Sequence, residues 1–202
     1  FPFVGLVLGL VLVALDIVLS LLFPVPIRNV LLVIALIVLT GGLPLKSVAG
    51  WVDSFGSAVL ETSSFGSLGA VSLAGIFLLK FTALLALPDE GRWSALLLAP
   101  VLSRAAVAYL LASLPKDKEP EGVGAPFAQA ASPDEAYVAA GWALAISLVL
   151  GFIGGIIVAL VVGAATIGLK RYVGAGSGES CVAAGEVMET LAFLLFAVWW
   201  GS

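Results

Sequence analysis

The 202-residue sequence is 61% hydrophobic and 11% charged, with a net charge of −4 from 9 Lys+Arg and 13 Asp+Glu, and its mean hydropathy is +1.20. A soluble domain is about 45–50% apolar and about 25% charged. These values exclude an ordinary soluble domain, a disordered chain and a nucleic-acid binder, which needs a basic face, and leave an all-α, polytopic membrane helix bundle.

Residues 4–23 are apolar except for Asp16 and are long enough to span. No basic segment precedes them, so they are not read as a signal peptide, and a natural N-terminal segment is expected to be missing. Pro24 and Pro26 break the run, with Arg28 in a short loop. The second run, 30–43, is short for a span unless Ile27 and Asn29 extend it. Residues 44–68 read as a Gly/Ser-rich loop carrying Lys46, Asp53 and Glu61. A third span covers 69–87 with Lys80 inside it, a tight polar turn 88–92, and a fourth span 93–114 with Arg104 near its middle.

The most polar stretch, 115–133, holds Lys116, Asp117, Lys118, Glu119 and Glu121. The next 34 residues, 136–169, carry no charge. One helix of that length would measure about 51 Å, well beyond the roughly 30 Å bilayer core. The spacing therefore predicts two helices joined by a tight turn at Gly151, Gly154 and Gly155. A polar loop, 170–185, and a last span, 186–200, follow, with Trp199 and Trp200 suited to an interface belt. No internal repeat is evident.

Charge asymmetry decides between six and seven spans. With seven, the loops at 44–68, 115–135 and 170–185 share one side with five Lys and Arg against two, Arg28 and Arg92, on the other. With six, the split is three against four, which orients nothing. The reading is one transmembrane domain over 1–202, seven spans and cytoplasmic long loops.

With no His and one cysteine, Cys181, His-dependent nucleophilic mechanisms and an intrachain disulfide are excluded. A metal would need oxygen ligands, hence magnesium, manganese or calcium. Asp16, Lys80 and Arg104 lie at mid-span. Such charges usually face the bundle interior, either along a substrate or ion path or as a structural pair, for instance Asp16 with Lys80 or Arg104. Lys170 and Arg171 fit a topology signal. Glu186 and Glu189 lie on one helix face and suit either a hard cation or a solvated first turn. The Gly/Ser-rich segment 176–180 could cradle a phosphate.

Several motifs then occur in a familiar order. They are Phe1-Pro2-Phe3-Val4-Gly5, Thr40-Gly41-Gly42, Gly66-x-x-Gly69 with Lys80 eleven residues on, Ser103-Arg104, and Glu121-Gly122-Val123-Gly124 with Phe127. Last come Leu169-Lys170-Arg171 and Gly178-Glu179-Ser180 with Ala183, Ala184, Glu186 and Glu189. In this the chain resembles the adenosylcobinamide-GDP ribazoletransferase (cobalamin-5′-phosphate synthase) family. The resemblance implies a multi-pass enzyme of the cell membrane that joins adenosylcobinamide-GDP to α-ribazole or its 5′-phosphate and releases GMP, with Mg²⁺ as cofactor. It implies catalytic roles for Asp53, Glu61 and Glu179, and phosphate or substrate contacts for Lys80, Ser103, Arg104, Gly178 and Ser180. It implies metal ligation by Asp53, Glu186 and Glu189. Corrinoid nucleotide, α-ribazole and the bilayer are the implied partners, with a homo-oligomer or other cobalamin-pathway enzymes as further candidates and no nucleic acid.

The departures fall on the family's first acidic motif. Pro44 stands at its His, Lys46 and Gly50 stand at two of its Asp positions, and Asp53 keeps a third. A downstream Asp falls on Thr62, beside Glu61. Either Asp53, Glu61, Glu179, Glu186 and Glu189 rebuild the site, or the chain is an altered relative that binds corrinoid or a partner enzyme. A small transporter is a third reading of the mid-span charges.

Overall fold

A computed structural model describes residues 2–59, 67–114, 132–173 and 178–201. Every regular element among them is a helix: α1 (Pro2–Ser20), α2 (Val25–Leu39), α3 (Leu43–Val59), α4 (Ser67–Ala86), α5 (Asp89–Ala112), α6 (Pro133–Val173) and α7 (Gly178–Gly201). Five of them are long and apolar enough to cross a membrane, or six if α2 and α3, which meet at an 86° bend, count as one span. The chain is a multi-pass membrane protein.

α6 contains two of the expected spans. Its helical backbone breaks at Phe152 (φ 48°, ψ −141°). A Cβ placed on Gly155 would lie 2.4 Å from the Ser147 carbonyl oxygen, whereas eight residues of continuous helix rise about 12 Å. The chain therefore turns back on itself, and arms 133–151 and 153–173 each measure about 30 Å. The turn falls where the sequence predicts it, but the left-handed residue is Phe152 rather than a glycine. The glycines serve close packing instead. Gly151 sits under Leu98, Gly154 under the Trp199 ring, and Gly155 on the facing arm.

Four boundaries differ from expectation. Residues 43–59 are helix, not loop. They are too short and polar to span, but they follow two glycines at φ +64° and +67°, Gly41 and Gly42, which let the chain leave α2 at a right angle. Arg28 lies in the first turn of α2, because Pro26 near the helix start has no N–H to lose there. Arg92 lies inside α5, which begins directly after Pro88. Similarly, α6 runs on to Val173 and α7 starts at Gly178, leaving much less of 170–185 as loop.

The fully buried core centres on α5, which packs on α1, α6 and α7. Without a solvent-driven force between helices in lipid, close backbone approach does much of the work. Gly5 and Gly9, a G-x-x-x-G pair, supply it on α1. A Cβ at Gly5 would lie 2.4 Å from the Pro100 carbonyl oxygen, and one at Gly9 would lie 2.7 Å from the Leu97 Cα. α3 packs across α4 and α7, so Lys46, Asp53, Gly178 and Glu179 gather at one end of the bundle, here the α3 end.

Gly5→Leu is expected to cost about 1–3 kcal/mol by overpacking, read as a lower melting temperature in detergent. Gly75→Ala, where a new Cβ meets nothing within 4 Å, is expected to leave the melting temperature unchanged or slightly raised. Equal effects of the two would contradict this packing.

Candidate functional site

Two buried charge clusters lie inside the bundle. The first lies toward the end away from α3. Arg92 Nε donates to both Asp16 carboxylate oxygens at 3.0 Å. Its Nη2 donates to Asp16 Oδ1 at 2.8 Å and to Asn29 Oδ1 at 2.5 Å, and its Nη1 donates to the Leu84 carbonyl at 3.2 Å. Arg28 Nε stands 3.2 Å from Asp16 Oδ1. Asp16 therefore pairs with Arg92 and Arg28, not with Lys80 or Arg104. The reason is geometric: α1 runs antiparallel to α5, which sets its C-terminal half beside the start of α5, where Arg92 sits. The cluster joins α1, α2, α4 and α5 through charge-assisted hydrogen bonds, the stronger kind in low dielectric.

The second cluster joins α4, α5 and α7. Lys80 Nζ donates to Glu186 Oε1 at 2.5 Å and to Glu189 Oε1 at 2.6 Å. Lys80 and Glu189 are 2% and 0% exposed, so this ion triplet is out of water. Arg104 Nη1 stands 3.7 Å from Glu189 Oε2 and donates to Ser103 Oγ at 3.0 Å, which donates to the Gly185 carbonyl at 2.8 Å. Gly185 is needed for that approach, since a Cβ there would lie 2.3 Å from a Val107 methyl. Two cations thus balance two carboxylates. Beside Lys80 and Glu186 is a cavity of about 10 Å³, lined also by Val33, Ile37 and Phe77, the size of one water site.

At the α3 end, Asp53 Oδ1 accepts from the Gly69 backbone N–H at 2.8 Å. That N–H is one of the donors a helix start leaves unpaired, and the negative charge suits the positive end of α4. A Cβ at Gly69 would lie 2.7 Å from Asp53 Oδ2, which explains a glycine there. Glu179 and Ser180 lie in the first turn of α7, after Gly178. Glu61 and the 121–127 motif lie outside the described residues.

The structure thus brings Lys80, Ser103, Arg104, Glu186 and Glu189 together, and sets Asp53 apart from them on the start of α4. A magnesium ion does not fit the Glu186–Glu189 pair in this arrangement. The oxygens that would converge on it already converge on the Lys80 ammonium. Among the described residues, no three Asp, Glu or Cys side chains are grouped to hold a metal ion. Sequence reasoning missed Arg92, Arg28 and Asn29 as interior residues. The available signal was Asp16 itself, a carboxylate in a span that had to have a cation somewhere.

The cobalamin-5-phosphate synthase family matches residues 1–197. Proteins named adenosylcobinamide-GDP ribazoletransferase are similar as well. The one from Geotalea daltonii is 34% identical over 158 residues, 71% of this chain and 63% of that protein. The one from Roseiflexus sp. is 32% identical over 204 residues, 95% of this chain and 75% of that protein. The one from Pseudomonas putida (strain GB-1) is 32% identical over 212 residues, 98% of this chain and 85% of that protein. No solved structure matches.

Removing one partner of a buried ion pair leaves an uncompensated charge, at about 3–5 kcal/mol. Lys80→Met is expected to lower stability by that amount in detergent melts. Mn²⁺ should then raise the variant's melting temperature and leave the wild type's unmoved. A wild-type melting temperature that rises with Mn²⁺ and falls with a chelator would show that a metal helps to neutralise the two carboxylates.

Proposed function

The chain belongs to the cobalamin-5-phosphate synthase family, and from that premise we propose that it is a membrane transferase joining adenosylcobinamide-GDP to α-ribazole or its 5′-phosphate. In this reaction a hydroxyl oxygen of the ribazole ribose bonds to the phosphorus that bears cobinamide. The phosphoanhydride bond breaks, the hydroxyl proton is lost, and GMP leaves. The observation that carries the reading is convergence. The Lys80, Ser103-Arg104 and Glu186/Glu189 motifs, up to 109 residues apart in sequence, meet in one buried cluster, directly below the start of α7.

We place the reacting groups at the α3 end, on the cytoplasmic side. The orientation rests on charge, since Lys46, Lys170 and Arg171 belong to that end. Gly178 and Ser180 lie at the N-terminus of α7, where free backbone N–H groups and the helix dipole favour a phosphate, and Lys46 adds a positive charge on α3. Asp53 or Glu179 takes the hydroxyl proton. Lys80, Glu186 and Glu189 are positioning residues in this scheme: they fix the depth and rotation of α7 and so the direction its first turn faces. Arg104, 14% exposed at its side chain, is the member of the cluster nearest to substrate access.

The scheme routes no step through a metal on the Glu186–Glu189 pair, because Lys80 and Arg104 already balance those two carboxylates. A second reading is favoured by Lys46 and Gly50, which stand where the resemblance has aspartates. In it the chain binds the corrinoid nucleotide without turnover.

Purified protein in proteoliposomes, given adenosylcobinamide-GDP and α-ribazole 5′-phosphate, is expected to release GMP in step with joined corrinoid product, measured by mass spectrometry. Ser180→Ala should lower the rate about tenfold or more, the loss expected for a lost contact worth about 1.4 kcal/mol. Binding of adenosylcobinamide-GDP without GMP release, beside an active relative, would overturn the enzymatic reading in favour of the second.

A further inference from the structure

Arg104 is held away from the stronger of its two acceptors. Its Nη1 stands 3.7 Å from Glu189 Oε2, beyond hydrogen-bond distance, and donates instead to the Ser103 hydroxyl at 3.0 Å. A guanidinium binds a carboxylate more strongly than a hydroxyl. Glu189 Oε2 is left buried with no hydrogen bond among the described residues, and an unpaired buried oxygen is more costly when it is charged. Ser103 is fully buried. Its one proton goes to the Gly185 carbonyl at 2.8 Å, since a carbonyl can only accept. The hydroxyl therefore turns a lone pair to the guanidinium and has no proton left for a substrate oxygen.

The remaining N–H groups of Arg104, on Nε and Nη2, donate to nothing among the described residues, and the side chain is 14% exposed. On α5, Pro100 and Val101 face α1, Ser103 and Val107 face α7, and Leu102 and Ala106 face α6. Arg104 falls between the first two faces and opposite the third. Its free edge thus opens into the bundle, where Glu189 is shared with Lys80 of α4, and not to lipid. Gly185 is seven residues, about 10 Å, below Gly178 on α7. A phosphate on the α7 start therefore does not touch this guanidinium, which is left for a second phosphate of the same ligand.

We propose that Ser103 is a positioning residue: its hydroxyl holds Arg104 off Glu189 and keeps the Nε–Nη2 edge, a fork that matches two phosphate oxygens, free for the deeper phosphate of a diphosphate ligand. The proposal rests on the transferase reading, in which adenosylcobinamide-GDP supplies the two phosphates. Without the hydroxyl, Arg104 closes on Glu189 and its fork is lost to the ligand.

The test is isothermal titration of the detergent-purified full chain with adenosylcobinamide-GDP and no α-ribazole, so that binding is read apart from turnover. Ser103→Ala is expected to weaken binding about tenfold, the loss of one charged hydrogen bond. In an Arg104→Gln background the same substitution should have no further effect, because Ser103 acts only through Arg104. Should Ser103→Ala melt early, Ser103→Cys, which keeps the volume and loses the strong acceptor, serves the same purpose. Equal weakening with and without Arg104 would make Ser103 a helix-pairing residue and overturn the proposal, as would unchanged affinity in the Ser103 variants; either result leaves the transferase reading standing. A wild type that does not bind the ligand overturns both.

Discussion

One ammonium group between two carboxylates organises this bundle. Lys80 stands in α4 at a depth where an unpaired charge is costly, roughly 2.5–3.5 kcal/mol even on insertion scales, and both Glu186 and Glu189 on α7 approach it within 2.6 Å. Because each of these charges is tolerable only with the others, α4 and α7 are held at one depth and one rotation. The constraint spreads from there. Glu189 faces Arg104, which binds Ser103, which binds the Gly185 carbonyl and ties in α5. One turn along α4 from Lys80, the Leu84 carbonyl accepts from Arg92, whose other nitrogens reach Asp16 on α1 and Asn29 on α2. Two ion clusters and a single turn of α4 thus connect α1, α2, α4, α5 and α7 in an interior that is otherwise apolar. Burial of this kind is weak evidence for high stability. It is better understood as fixing which helix faces which.

That fixed geometry determines what the α3 end can offer a substrate. Asp53 is committed to the start of α4 by its hydrogen bond to Gly69, so α3 lies across the bundle with Lys46 and Asp53 on the same short helix. The α7 start, with Gly178, Glu179 and Ser180, belongs to the same end, and its position follows from the Lys80 clamp below. A lysine where the resemblance has an aspartate changes the sign of one charge at the place where phosphates would bind.

Much of this was legible in the sequence. The excess of apolar residues dictated helical spans, and the uncharged run 136–169 was too long for one helix, so its reversal was readable from length alone. The interior location of Lys80, Arg104 and Asp16 followed from the cost of charge in lipid, and the shared face of Glu186 and Glu189 from their spacing. The pairing was not legible. Lys80 and Glu186 are 106 residues apart, and nothing local distinguishes Arg104 from Arg92 as the partner of Asp16. Arg92 was hidden by its neighbours Pro88, Asp89 and Glu90, which mark a polar turn in the sequence but in the fold are the cap and first turn of α5. α3 was hidden because hydrophobic length is a poor guide to a short amphipathic helix. The Phe152 turn was misassigned in detail because glycines needed for packing against Leu98, Trp199 and Ser147 look identical in sequence to glycines needed for a turn.

The most direct test of the central constraint is a double-mutant cycle on Lys80→Met and Glu189→Gln, with unfolding free energies measured in detergent. If the ammonium clamps α4 to α7, the two substitutions are strongly non-additive, with a coupling energy of about 2–3 kcal/mol and a double variant more stable than Lys80→Met alone. Additivity within about 0.5 kcal/mol would show that the two side chains do not depend on one another and would contradict the account.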